Sequence, residues 1–161
     1  MQNKKPDSKT SRETLELADA AEHLLDEARM VLPGMQALFG FQLIAVFSPG
    51  FSDLLERSDQ QLHLVAIALV AIAVAIIMTP AAYHRLTGPR EVTESFIELS
   101  TRLLLCSMFP LALGICIDFY LVGSVIVDAS VSAVLAALLF AVFMGLWFIF
   151  PKLRMVMTGS K

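Results

Sequence analysis

Apolar positions fall into four long blocks separated by short polar intervals, preceded by a stretch in which apolar residues recur at helical spacing. The strongest block, Leu62 to Tyr83, reads LHLVAIALVAIAVAIIMTPAAY and has no charged or hydrogen-bonding side chain between Leu64 and Met78. A hydrocarbon core of about 30 Å is crossed by roughly 20 apolar residues at about 1.5 Å each. Lipid offers the backbone no hydrogen bonds, so an isolated run of this kind is a helix. The pattern predicts spans over 31–50, 62–83, 99–122 and 129–150, within a membrane domain covering residues 30–155. Their short connections join antiparallel neighbours, so the expected fold is all-α, a four-transmembrane-helix up-down bundle.

Before the first span, residues 1–10 are polar and unpatterned, as are 156–161 at the other end, and both read as tails. No cleavable signal is expected, because the first apolar run begins only near Met30. Thr10 and Glu13 have the spacing of a capping box, and a cytosolic amphipathic helix over 11–29 follows. Leu17, Ala21, Leu24, Ala28 and Val31 form one stripe, while Glu13, Glu16, Glu22, Asp26 and Glu27 occupy other faces. The stripe either docks a partner or lies on the protein's own cytosolic face, the second being favoured because half its seam is alanine. Membrane-surface anchors present Lys and Arg to anionic lipid, and this helix presents mainly carboxylates.

Composition sharpens the picture. Of 161 residues 57% are hydrophobic and 17% charged, against about 25% charged in an average soluble domain. The net charge of −3 leaves no basic stripe for nucleic acid. Cys106 and Cys116 are ten positions apart on one predicted helix, about 15 Å, and cannot pair with each other. His23, His63 and His84 fall in three different regions, and nothing has zinc-ligand spacing, so no metal or cofactor is expected. Eleven basic residues lie in the N-terminal segment, the connection between the second and third spans and the C-terminal tail; the other two connections hold only Arg57. The positive-inside rule then places the N- and C-termini in the cytoplasm.

Few side chains offer chemistry inside the spans. Gln36 and Gln42 point about 120° apart on one helix, and read either as interhelical glue or as the lining of a polar path. Asp118 is the one acidic residue within a predicted span. With the span ending near Gly123 it is expected to reach water at the interface, the alternatives being a polar clamp between helices or proton or cation handling. Ala71, Ala75 and Thr79, and the longer series Ala133, Ala137, Ala141 and Gly145, are four-residue ridges expected to pack against other helices. Pro110 is expected to kink the third span. At the cytosolic edge Tyr83, His84 and Arg85 form an interfacial motif, with Arg102 at the start of the third span and Glu98 four residues before it.

Leu32-Pro33-Gly34-Met35-Gln36 with Phe39, Pro80-Ala81-Ala82-Tyr83-His84-Arg85, Arg102, Asp118, and Leu146-Trp147-Phe148 with Pro151 and Arg154 together resemble an uncharacterised family of small four-span bacterial membrane proteins. The resemblance covers about residues 24–155 and implies four spans in a bacterial inner membrane. Members of that family sometimes carry the label sodium:proton antiporter. The expected function is a non-catalytic accessory or assembly protein in the lipid bilayer, with a homo-oligomer or a membrane-protein partner. The alternative is a proton-coupled monovalent cation transporter, an oligomer using Asp118 with Gln36 or Gln42. An enzyme is not expected: no H-E-x-x-H motif, paired intramembrane carboxylates or Ser-His arrangement is present.

Overall fold

A computed structural model describes residues 8–87 and 93–153. The Thr10 and Glu13 side chains, Arg90, Gly88-Pro89 and Arg154 lie outside that description. The described residues form helix α1 (Ser8–Val46), a short α2 (Pro49–Leu54), α3 (Arg57–Thr87), α4 (Glu94–Ile126) and α5 (Ala129–Met144). A π-helical turn, Gly145–Ile149, continues α5, and the helix resumes to Leu153. No strand occurs among the described residues. Four helices are long and apolar enough to cross a membrane: Asp19–Val46, Arg57–Leu86, Glu94–Ile126 and Ala129–Leu153. The chain is a multi-pass, all-helical membrane protein.

The amphipathic segment and the first span, which the pattern divides near residue 29, are one continuous helix. Its buried residues explain why. Ala21, Ala28, Met35 and Gln42 recur every seven positions, so one seam faces the neighbouring helices from the polar segment into the apolar one. Pro33 is exposed on the other side of α1 and leaves only the Arg29 carbonyl without its helical partner. At the far end Ser48-Pro49-Gly50 both stops α1 and starts α2: Ser48 is extended and Pro49 takes the first helical position, where its missing N–H costs nothing. Thr93 caps α4 by accepting from the Phe96 N–H at 3.3 Å. The α4 helix runs unbroken through Pro110.

Helices α3 and α4 share the most extensive interface; α1 packs mainly on α3, and α5 on α4. The seven-residue rhythm recurs at these interfaces. On α3 it places His63, Val70 and Ile77 in one row and Ala66, Ala73 and Pro80 in the next. On α4 it places Ser100, Ser107, Gly114 and Leu121 inward. Small residues on α4 allow close approach: a Cβ on Gly114 would stand 3.0 Å from Val70 Cγ2 and 3.2 Å from the Ala66 carbonyl oxygen. Near the α4–α5 connection Gly123 leaves room for Ser132, whose hydroxyl donates to the Tyr120 carbonyl at 2.8 Å.

Both predicted small-residue ridges face outward instead. Ala75, Thr79, Ala133, Ala137 and Ala141 are exposed, and on α5 only Ser132 and Ala136 are buried. In blocks this uniformly apolar a four-residue alanine spacing does not select a face; the packing follows the rows that contain the polar residues, seven-residue series on α1, α3 and α4 and Ser132 with Ala136 on α5. The outer surface carries Phe41, Ile44, Leu64, Ile72, Val134 and Leu138, the apolar exterior that a bilayer solvates.

Candidate functional site

The seams of α1, α3 and α4 each carry a polar residue toward the same end of the bundle: Gln42, His63 and Asp118. They lie four, six and eight residues inside the ends of their helices at Val46, Arg57 and Ile126, so about 6–12 Å along the axis at roughly 1.5 Å per residue. Helix α4 continues to Ile126, three residues past the predicted span end at Gly123, and the Asp118 side chain is 19% exposed.

The three side chains are bonded to one another. Gln42 Nε2 donates to Asp118 Oδ2 at 2.5 Å, His63 Nδ1 lies 3.0 Å from Asp118 Oδ1, and His63 Nε2 lies 3.0 Å from the Gln42 carbonyl oxygen. Phe51 of α2 sets its ring edgewise against the imidazole, centroids 5.3 Å apart. Gln42 Oε1 is buried without a hydrogen-bond partner, at a cost of about 1–3 kcal/mol for an unsatisfied acceptor.

Both ring nitrogens of His63 thus lie 3.0 Å from oxygens, Nε2 from the Gln42 carbonyl and Nδ1 from the Asp118 carboxyl. The imidazole joins α1 to α4, and with Asp118 it forms a hydrogen-bonded acid–base pair in surroundings that solvate charge poorly.

A cleft of about 370 Å³ opens onto this group. Phe41 of α1, Phe51 and Leu54 of α2, and Val122 and Val125 of α4 line it, and Gln42, His63, Asp118 and Ser48 are its polar lining residues. Among the described residues no cluster of three or more His, Cys, Asp or Glu has the arrangement of a metal site.

The other residues singled out in the sequence lie elsewhere. Gln36 is exposed on another face of α1 and takes no part. Tyr83 and His84 lie at the opposite end of α3, both against Phe96 with ring centroids 5.8 Å apart, and Arg85 is exposed. Arg102 pairs with Glu98 at 2.6 Å in the predicted i,i+4 order, with both side chains exposed. The residue that sequence reasoning missed is His63. Its signal was the spacing: counting back by seven from Ile77 through Val70 reaches His63, which puts it on the packed face.

The model of DUF6328, described as a family of unknown function, matches residues 11–151. The chain belongs to the DUF6328 family. The DUF6328 match takes in all four membrane-capable helices but for Lys152 and Leu153, together with the three residues of the site. No curated protein and no solved structure matches this DUF6328 chain.

Proposed function

We propose that the protein is a proton-coupled carrier of monovalent cations in a bacterial inner membrane, with both termini cytoplasmic and with Asp118 as the exchanging group. The observation that carries this reading is the contact of His63 Nδ1 with Asp118 Oδ1, 3.0 Å apart at the edge of a cleft. A carboxylate held this way has two neutral settlements, a proton bridge to His63 or a cation in the cleft, and it cannot keep both. Exchange of one for the other links a cation moving in to a proton moving out. Four helices in one chain do not form the inverted repeats common in transporters, so the working unit is an oligomer.

The accessory role favoured by the sequence docks a partner through the helix over 11–29 and the charged connection between the second and third spans. Ala21 and Ala28 are buried, and Leu24 and Leu25 border a small cavity with Ile77 and Phe96, so the protein's own α3 and α4 occupy the apolar stripe of that helix. This leaves the helix only its acidic outer face for a partner. Proteoliposomes holding a pH-sensitive dye, pulsed with sodium, potassium or organic cations, test the transport reading. The expected result is a pulse-driven pH change that Asp118→Asn abolishes. Inserted, folded protein that moves no protons under any pulse overturns the reading.

A further inference from the structure

The cleft also indicates which cation it takes. We propose that its ligand is an amphiphilic organic ammonium, a primary or secondary amine in its charged form bearing an apolar chain, and not a bare alkali ion. This rests on the carrier reading for its direction of use, but the binding claim stands on the cleft itself.

Three observations converge. The first is size and lining: about 370 Å³ walled mainly by Leu38, Phe41, Phe51, Leu54, Val122 and Val125 suits an apolar body with a few polar anchors. A stripped alkali ion needs a shell of oxygens in place of its water, and these walls do not provide one. The second is the polar floor. Asp118 supplies the carboxylate, and Gln42 holds it by donating from Nε2 to Oδ2. An ammonium brings both a charge for that carboxylate and N–H donors for its oxygens. A quaternary ammonium brings only the charge. The third is the aromatic pair: Phe41 and Phe51 line the same cleft, and π faces attract a partly dehydrated cation.

Helices α1 and α4 both contribute apolar, outward-facing wall residues: Phe41 is 71% exposed and Val122 63%. An amphiphile dissolved in lipid therefore reaches the cleft sideways, chain first among apolar walls and head toward Asp118. The ammonium can belong to a free amine or to the ethanolamine headgroup of a lipid, since both present the same donors.

The test is equilibrium binding of radiolabelled decylamine to the full chain in nanodiscs of phosphatidylcholine and phosphatidylglycerol. Decyltrimethylammonium, decanol and sodium serve as competitors. Saturable binding is expected, with decyltrimethylammonium and decanol each weaker by roughly tenfold or more, since one or more charge-assisted hydrogen bonds are lost. Asp118→Asn should abolish binding and Gln42→Leu weaken it severalfold, while Gln36→Leu leaves it unchanged. Phe41→Ala alters an exposed residue and leaves the fold intact, so its expected severalfold loss of affinity guards against a misfolded Asp118 variant. Repeating the assay with phosphatidylethanolamine in the nanodisc distinguishes the sources: weakened binding means that the lipid headgroup competes, and unchanged binding means a free amine. No saturable binding, binding indifferent to Asp118→Asn or Phe41→Ala, or sodium competing as strongly as decylamine overturns the proposal. Decylamine binding without proton movement sinks the carrier reading alone, and sodium-driven proton flux without decylamine binding sinks this inference alone.

Discussion

Replacing either His63 or Asp118 by leucine takes from the other one of its two contacts in a poorly solvated site, leaving only the one with Gln42. Each single variant should lose about 1–3 kcal/mol of stability, the usual cost of orphaning a buried polar group. The double variant should lose less than the sum, with a coupling of about 0.5–3 kcal/mol between contacting residues. Denaturation of all four proteins in one detergent measures that cycle, and simple additivity would mean that the contact contributes nothing. Glycines give a second comparison. Gly114→Ala pushes a methyl against Val70 and the Ala66 carbonyl and should cost about 1–3 kcal/mol. Gly34→Ala meets nothing within 4 Å and should gain a few tenths to about 1 kcal/mol from helix propensity. The same melting experiment reads both, and equal shifts would contradict the close α3–α4 approach.

At the scale of elements, the sequence was most legible where composition alone decides. Uninterrupted apolar runs long enough for a bilayer can only be helices, so the spans stood out, although the helices that carry them run past the apolar blocks, α1 furthest, from Ser8. Which face each helix packs was less legible. When nearly every residue is apolar, lipid and protein interior are alike to a side chain, and only polar or sterically demanding positions mark the interior. The ridge Ala133, Ala137 and Ala141 was read as a packing face for lack of such a mark, while Ser132 and Ala136 do the packing. Gln42 and Asp118 were flagged one at a time; His63, which joins them, was passed over because it stands at the edge of the strongest apolar run, far in sequence from both. One consequence is easily checked. Ala136→Leu should destabilise the α4–α5 pair by about 1–3 kcal/mol through overpacking. Ala137→Leu, one position along and exposed, should leave the melting temperature of the monomer almost unchanged.

For the whole molecule, the two ends of the bundle differ in kind. One end holds the Gln42, His63 and Asp118 group with α2 beside it, and the other holds Tyr83, His84 and the Glu98–Arg102 pair. The orientation proposed from the charge count sets the first end outside. In a Cys106→Ser, Cys116→Ala background, a cysteine at exposed Ser52 should react with an impermeant maleimide in intact cells, and one at exposed Lys152 only after lysis. The reverse order would invert the topology and turn the cleft toward the cytoplasm. The seven-residue seams have a further effect. Rows of alanine, serine and small aliphatic residues are nearly self-similar, so a helix slid by one repeat meets almost the same surface it left. Displaced by seven residues, however, α1 would offer Met35 in place of Gln42 to a histidine and a carboxylate. The polar group thus works like the cut in a key, setting the depth to which three otherwise slippery rods slide before they stop.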